Sequence, residues 1–295
     1  MANILVSGLV NTETTVRVRQ FPVVYYPIDY PFFGVNTAVS GVAYNLALAL
    51  TTLGDRVRLV SMTGKDFPAE YIRSELSAAG IDTGRILPQL QQTPSSVVLY
   101  DGEGRRQIYC DLKDIQEAGY GFSGDILENI DLVVACNTKF NRELLALAKA
   151  QGKVIATDVH VLQDPRDAYN RDFLEAADIL FLSDEGIQGD YQDFLLELNR
   201  SYQNKIIVLG RGSKGAAMYL RDEARFYELP AAHIGTVVNT VGAGDALFSA
   251  FVHYYTKGMH PAEALNRARY FAAAKIRVSG ASRGFITEPE LEGLL

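Results

Sequence analysis

Short apolar runs alternate along the chain with longer segments in which apolar residues recur every three or four positions. Runs such as NILVSG at 3–8 and KIIVLG at 205–210 are bounded by turn residues, which is typical of buried β-strands. The segment 40–54 has a helical apolar pattern and ends at a glycine, which is typical of an α-helix. On this basis the predicted strands are 3–8, 56–64, 131–136, 153–159, 179–184, 205–210, 216–221 and 224–230, and the predicted helices are 40–54, 68–80, 141–152, 171–178, 191–203, 245–258 and 261–280.

The order of these elements predicts the fold class. Strands that alternate with helices form an α/β fold, in which a mostly parallel central sheet is covered by helices on both faces. In such sheets the ligand binds beyond the carboxyl ends of the strands. No linker or repeat interrupts residues 1–295, so we expect a single domain.

Two segments break the alternation, 13–35 and 95–111, and both show apolar residues at every second position. The second contains DGEG, a hairpin turn signal. We interpret them as a small antiparallel β lid over one end of the main sheet, built from segments at roughly 12–36 and 95–112. The first segment is rich in aromatic residues, which could cover a ligand, pack the lid against the body or bury a dimer contact. These residues are Tyr25, Tyr26, Tyr30, Phe32 and Phe33.

Composition and charge narrow the range of partners. The 295 residues are 48% hydrophobic and carry a net charge of −7 without acidic or basic blocks, so neither nucleic acid nor an anionic membrane is an expected partner. Two cysteines without a CxxC spacing and an N-terminus that reads as a strand fit a cytoplasmic protein. The four histidines show no metal-ligand spacing, so no metal site is predicted from them.

Two glycine-rich loops are candidate ligand sites. GRGSKG at 210–215 matches GxGxxG, but a dinucleotide site needs a helix next, and the residues that follow read as strand, turn and strand. VGAGD at 241–245 precedes an apolar helix and follows the strand-like segment 233–238. Small residues at such a helix start leave backbone N–H groups free to bind an anion. Asp245 is then either an acid that complements the helix dipole or a general base beside a bound phosphoryl group.

The segment NTVGAGD resembles the second signature, D-T-x-G-A-G-D, of the ribokinase-like (PfkB-type) carbohydrate kinase family. Other stretches are similar to further motifs of this family, in the same order along nearly the whole chain. They are the first glycine signature at 40–54, the V-G-x-D-x-x-G stretch at 60–82, the second lid hairpin at 93–109 and the G-x-x-G loop at 209–219. The resemblance implies a three-layer ribokinase-like α/β fold with a lid, and an ATP-dependent kinase that uses Mg²⁺.

The resemblance also implies residue roles. Asp245 would be the general base, with Gly242, Ala243 and Gly244 as the anion hole for the transferred phosphoryl group. The expected substrate-binding residues are Asn11, Glu13, Gly41 and Asn45. The expected nucleotide-binding residues are Gly212, Ser213, Gly215, Thr240, Ala273 and Gly280.

Several positions depart from the family pattern. Asn239 replaces an Asp that lies near a monovalent-cation site in relatives, so K⁺ dependence is in doubt. Ser183 and Gly186 replace the Asn and Glu of the N-x-x-E motif, and Asp184 or Glu185 would have to compensate.

Three functions fit this pattern. The leading hypothesis is an ATP-dependent phosphotransferase acting on a hydroxymethyl group of a small sugar or polyol. The alternatives are a nucleoside kinase, with lid aromatics stacking on the base, and a non-catalytic metabolite sensor. Lids of this kind often pair between subunits in the family, which implies a homodimer through the lid.

Overall fold

The fold is described from a computed structural model that covers residues 1–103 and 105–295; Gly104 of the predicted DGEG turn lies outside the described residues. The strands are β1 Asn3–Ser7, β2 Asn11–Arg17, β3 Val35–Ser40, β4 Arg56–Thr63, β5 Ile86–Pro88, β6 Ser95–Tyr100, β7 Arg106–Asp111, β8 Leu132–Ala135, β9 Val154–Val161, β10 Ile179–Ser183, β11 Ile206–Gly210, β12 Ala216–Leu220 and β13 Arg225–Leu229. The helices are α1 Val42–Thr52, α2 Phe67–Ala78, α3 Asn141–Ala150, α4 Arg171–Ala176, α5 Tyr191–Tyr202, α6 Ala243–Thr256, α7 Pro261–Lys275 and α8 Glu288–Glu292. None of the described helices is both long and apolar enough to cross a bilayer.

The large sheet has nine strands in the order β13-β12-β11-β10-β9-β8-β1-β4-β5. All neighbours from β11 to β5 pair in parallel, and the hairpin of β12 and β13 continues the sheet antiparallel at one edge. The mostly parallel central sheet is therefore confirmed. The carboxyl ends of β1, β9, β10 and β11 meet along one rim of the sheet.

Alternate side chains of each central strand point to opposite faces and so divide the core in two. In β1, Ile4 and Val6 pack on one side, where the apolar faces of α1, α2, α6, α7 and α8 lie. Leu5 packs on the other side, against α3, α4 and α5. This alternation follows from the two-residue period of a strand. Helices on both faces give the predicted three layers.

The small sheet has four strands in the order β3-β2-β6-β7. The outer pairs, β2 with β3 and β6 with β7, are antiparallel as expected, while the two middle strands, β2 and β6, pair in parallel. Strands from two separate segments of the chain are joined by this middle pairing. The predicted alternation of residues 13–35 is only partly realised, because residues 18–34 form neither strand nor helix.

The segment before α6 also differs from expectation. Residues 233–238 were predicted to form a strand, but they are irregular in the structure. The backbone N–H groups of Val238 and Asn239 donate instead to the carbonyl oxygen of Ile276, at 2.9 and 3.1 Å. A strand-like sequence is thus held by the end of α7 rather than by a sheet partner.

Helix α6 carries the predicted site at its first turn and is anchored at its far end by a buried polar pair. The Nδ1 atom of His253 lies 2.7 Å from Asp55 Oδ2, and the other carboxylate oxygen of Asp55 accepts the N–H of Ala2 at 2.9 Å. Both side chains are buried, with 1% and 0% exposure. The pair therefore ties α6 to the loop before β4 and to the chain segment before β1.

Replacing this carboxylate should destabilise the fold. Asp55→Ala leaves the N–H of Ala2 and the ring of His253 without their acceptor, which we expect to cost about 2–4 kcal/mol. Denaturant unfolding measures the change. The control is Asp222→Ala, because Asp222 is 81% exposed and should change stability by less than about 0.5 kcal/mol. Equal stability of the two variants would contradict an anchoring role for Asp55.

Candidate active site

The loop before α6 brings a glycine into a conformation that other residues rarely adopt. Gly242 caps the helix with φ 79° and ψ 7°, in the left-handed region. A Cβ atom at this position would lie 2.4 Å from the carbonyl oxygen of Ala281. Both the backbone angle and the close approach therefore require glycine here.

The first turn of α6 leaves several backbone donors free. The N–H of Ala243 donates to the carbonyl of Thr240 at 3.2 Å, but those of Gly242, Gly244 and Asp245 form no hydrogen bond with the residues that the structure describes. A Cβ atom added at Gly244 would meet no protein atom within 4 Å, so the space above this turn is open. Free N–H groups and the helix dipole together favour an anion at this point.

Asp245 lies in this first turn and is partly buried. Its Oδ2 atom accepts a hydrogen bond from Nδ2 of Asn45 in α1, at 2.7 Å. Burial raises the pKa of the Asp245 carboxyl above its ordinary value, while the bond from Asn45 and the charges of His160 and Lys275 act in the opposite direction. A desolvated carboxylate with only one protein donor retains proton affinity, which is the property a general base needs.

Two of the predicted substrate-binding residues interact with this carboxylate, Asn45 through a hydrogen bond and Glu13 through its charge. Gly41 precedes α1, and its carbonyl accepts the backbone N–H of Asn45 at 2.9 Å. Asn11 begins β2 and donates to Ser96 Oγ at 3.2 Å, and Glu13 accepts from Ser40 Oγ at 3.3 Å. Burial raises the pKa of Glu13, and the charge of Asp245 raises it further. The structure therefore brings Glu13 of β2, Asn45 of α1 and Asp245 of α6 together, while their roles stay predictions.

Two amide oxygens in this group are buried and have no hydrogen-bond donor among the described residues. They are Oδ1 of Asn11 and Oδ1 of Asn45. Buried polar atoms in folded proteins normally have a partner, so a water molecule or a ligand is expected to supply a donor to each of these oxygens. Hydroxyl groups of a polyol are suitable donors for such amide oxygens.

A cavity of about 250 Å³ lies between the lid sheet and the loop after α7. It contains Glu13 and Ser40 from the predicted substrate side. Gly280, which was expected on the nucleotide side, also lines this cavity. The other lining residues are Thr15, Asn36, Thr37, Ala38, Val39, Tyr100, Ser279, Ala281, Ser282 and Arg283. Polar side chains predominate in this set, so the cavity suits a hydroxylated ligand.

A second cavity, of about 580 Å³, lies on the other side of the loop that precedes α6. It is lined by Thr236, Val238, Ala274, Arg277, Val278, Gly284, Phe285, Ile286, Glu290 and Leu294. Ala273, a predicted nucleotide-binding residue, is itself buried, and its neighbour Ala274 reaches the cavity. Apolar side chains predominate in this set, which is typical of a small-molecule pocket.

The remaining predicted nucleotide-binding residues lie on two loops. Gly212 and Ser213 form an exposed 3₁₀ turn after β11, with no helix following, so the rejection of a dinucleotide fingerprint is confirmed. At Gly215 an added Cβ would lie 2.1 Å from the carbonyl of Leu229, so chain packing alone accounts for that glycine. Thr240 precedes the anion loop, and its Oγ1 atom lies 3.5 Å from Nη1 of Arg106 in the lid.

The degenerate N-x-x-E segment follows β10 at the same rim. Ser183 Oγ accepts the backbone N–H of Glu185 at 3.3 Å, and the Asp184 carboxylate forms no ion pair with any described residue. At Gly186 an added Cβ would lie 2.8 Å from Cγ of Gln163, so the side chain of Gln163 borders the position of the usual Glu. Within the described ranges, no three His, Cys, Asp or Glu residues form a cluster that could hold a metal ion.

The structure adds residues that the sequence reasoning missed. Lys275 ends α7 and is fully buried beside the anion loop, while Arg106 approaches the same loop from β7. Asp158 and His160, at the carboxyl end of β9, act electrostatically on Asp245. One signal was present in the sequence: a single lysine inside the apolar helical run FAAAKI is unusual unless its charge has a buried partner.

Comparisons with known proteins agree with this geometry. The sequence model of the family described as pfkB family carbohydrate kinase matches residues 1–288. Among curated proteins, a nucleoside kinase of Methanothermobacter thermautotrophicus is 26% identical over 256 residues, which is 78% of each chain. A 5-dehydro-2-deoxygluconokinase of Clostridium perfringens is 25% identical over 267 residues, covering 78% of this chain and 75% of the relative.

Solved structures show the same overall arrangement. The chain superposes on a microbiome-derived acarbose kinase with a TM-score of 0.89 and 25% sequence identity. The superposition covers 99% of this chain and 98% of the other. The fold of the chain, including its small sheet, is therefore that of a sugar kinase of known structure.

Proposed function

Because the chain belongs to the pfkB family of carbohydrate kinases, we propose that it transfers the terminal phosphoryl group of ATP to a hydroxymethyl group of a small sugar or polyol. The observation that carries this proposal is the position of Asp245. Its carboxylate is desolvated, hydrogen-bonded to Asn45, and placed in the helix turn whose amides are free to bind an anion. A proton acceptor and a phosphoryl site thus lie side by side.

The reaction follows from these positions. The acceptor hydroxyl oxygen attacks the terminal phosphorus of ATP, and a new O–P bond forms as the bond to the bridging oxygen of ADP breaks. The proton of the hydroxyl passes to the carboxylate of Asp245. The N–H groups of Gly242 and Gly244 stabilise the negative charge on the transferred group. Asn45 holds the carboxylate in orientation through its 2.7 Å bond.

We assign the two cavities to the two substrates. The polar cavity with Glu13 and Ser40 receives the acceptor, and the larger, more apolar cavity with Val238 and Phe285 receives the nucleotide. Mg²⁺, when bound with ATP, neutralises phosphate charge. The carboxylate of Asp184 at the sheet rim fits an ion of this kind, because Mg²⁺ binds few protein oxygens and keeps water and phosphate as its other ligands.

The acceptor cavity favours a sugar or polyol over a nucleoside. Its volume of about 250 Å³ is below the roughly 300–1,000 Å³ of pockets for larger ligands. Tyr100 is the aromatic residue in its lining, whereas Tyr25, Phe32 and Phe33 of the lid are 84%, 82% and 101% exposed. These rings do not contribute a stacking surface to the cavity, although the similarity to a nucleoside kinase keeps a nucleoside acceptor as the second candidate.

Asp245→Asn should retain the fold and ATP binding but lose turnover by about 10²–10⁴-fold, because the amide cannot accept the proton. Turnover is measured as acceptor-dependent ADP release, and ATP binding by calorimetry. Asp222→Asn, at an exposed position away from the site, is the matched control and should keep wild-type rates. Near-native turnover of Asp245→Asn would refute the assignment of the base.

A panel of sugars, polyols and nucleosides should identify the acceptor class. We expect acceptor-dependent ADP release with a sugar or polyol that has a primary hydroxyl, and weaker release with nucleosides, because of the size and polarity of the cavity. Glu13→Gln should raise KM for the best acceptor more than it lowers kcat. If one of these compounds raises the melting temperature of the protein but none of them is phosphorylated, the result would instead support a metabolite sensor.

We also propose that the lid surface pairs with a second copy of the chain. The aromatic side chains of the predicted cluster are all at least half exposed, so they do not pack the lid against the body. They adjoin exposed Val23, Val24 and Ile28, and every residue of the edge strand β7 is exposed. A run of exposed apolar residues and an open sheet edge in the same lid are each typical of a protein interface.

The wild-type chain should therefore behave as a dimer in light scattering after size exclusion. The double substitution Phe32→Asp and Phe33→Asp should shift it to a monomer, because two carboxylates cannot be buried in an apolar contact. Phe67→Asp is the control, since Phe67 is 77% exposed but lies on α2. A wild-type monomer would show that the lid aromatics serve another purpose.

A further inference from the structure

Lys275 is the only lysine or arginine among the buried residues in the described part of the chain. Its relative exposure is 0%, at the last position of α7. Lysines are almost never fully buried unless their charge has a partner, because transfer of an unpaired ammonium from water is very costly. A buried lysine at this position therefore needs a specific reason.

Its ammonium donates a hydrogen bond to the carbonyl oxygen of Val241. Val241 directly precedes the capping residue Gly242, and its own N–H donates to Oδ1 of Asn239 at 2.7 Å. The carbonyl of Val241 and the N–H of Gly242 belong to one planar trans peptide, in which the two groups point in opposite directions. Holding the carbonyl towards Lys275 therefore fixes the N–H of Gly242 on the opposite side.

The same ammonium acts on both carboxylates of the site. Its charge lowers the pKa of Asp245 and of Glu13, although it forms no ion pair within 4 Å with any described residue. Burial lowers the pKa of Lys275 itself to about 8, while Asp245 and Glu13 favour its charged form. One cation thus faces two anions across the site.

We propose that Lys275 is a positioning residue for phosphoryl transfer, an internal cation that orients the peptide before Gly242 and balances the charges of Asp245 and Glu13. The activity rests on the proposed function, but the role of Lys275 in the electrostatics of the site does not. Because the chain supplies its own cation at this loop, turnover should not require added K⁺.

The pH dependence follows from the groups that face Lys275 and Asp245. These are Glu13 from β2 and Arg106 from β7, together with Asp158 and His160 at the end of β9. Asp245 must be ionised to accept a proton, so kcat/KM rises as pH rises through its pKa. Lys275 must be charged, so kcat/KM falls as pH rises through about 8.

The test compares Lys275→Met with Lys153→Met. Lys153 is the matched control, because its Nζ donates to the carbonyl of Ile130 at 2.8 Å, before the amino end of β9 and away from the site. We expect the kcat of Lys275→Met to be about 100-fold lower than that of the wild type. In the pH profile of kcat/KM, the rise on the acid side should move to higher pH. The fall near pH 8 should be absent, because the group that titrates there has been removed. Lys153→Met should keep the wild-type rate and profile.

Two readouts separate this inference from the proposed function. The ¹³C resonance of the Asp245 carboxyl, titrated without substrates, should show a higher pKa in Lys275→Met than in Lys153→Met. Methylammonium should partly restore turnover to Lys275→Ala, because that variant opens a space beside the carbonyl of Val241. If the wild type turns over no acceptor, the proposed function fails and the titration still tests Lys275.

A folded Lys275→Met with wild-type kcat, acid limb and Asp245 titration would overturn the proposal. If that variant does not fold, the proposal is tested on the wild-type protein. The proposal then requires full turnover in buffer free of K⁺ and a decline in kcat/KM near pH 8. A requirement for K⁺, or undiminished activity well above that pH, would refute it.

Discussion

A desolvated carboxylate and the unsatisfied amides of a helix start occupy the same turn of α6, and the rest of the site is arranged around this pair. Each is costly alone, because an ionised carboxylate loses hydration on burial and free N–H groups lack acceptors. Together they fit the proposed binding of a negatively charged group beside a hydroxyl that loses its proton. The pair makes sense only if a ligand occupies the space between them.

The fold provides this turn by bringing three helices to one rim of the sheet. Helix α6 presents Asp245, α1 presents Asn45, and the end of α7 holds the loop before Gly242 through Ile276 and Lys275. The buried pair of His253 and Asp55 fixes the opposite end of α6. Since the helix is held at both ends, its first turn cannot shift without breaking buried polar contacts. The lid sheet then closes the remaining side through β2 and β7.

Much of this arrangement could be predicted because it depends on local patterns. The residues that predict a strand at 205–210 or a helix at 40–54 all lie within that one element. In the same way, the small residues and the acid that predict an anion site before α6 all lie within the turn VGAGD. The strand predicted at 233–238 was wrong, because the backbone N–H groups of Val238 and Asn239 bond to Ile276 rather than to a neighbouring strand. The parallel pairing of β2 with β6 and the place of Gly280 beside Glu13 depend on contacts between distant segments, which no local pattern records.

Lys275 and Asn239 both hold Val241, the residue before the capping glycine. Asn239 cannot supply the negative charge of the Asp that stands there in the family pattern, but its Oδ1 atom still accepts the N–H of Val241 and so preserves the turn. The amide at 239 carries no charge that could help to bind a free cation at this loop. A tethered ammonium avoids that weakness, because it need not be captured from solution and its position is set by α7. The neutral amide at 239 and the buried ammonium at 275 both bond to Val241, so together they set the position and the electrostatics of the loop.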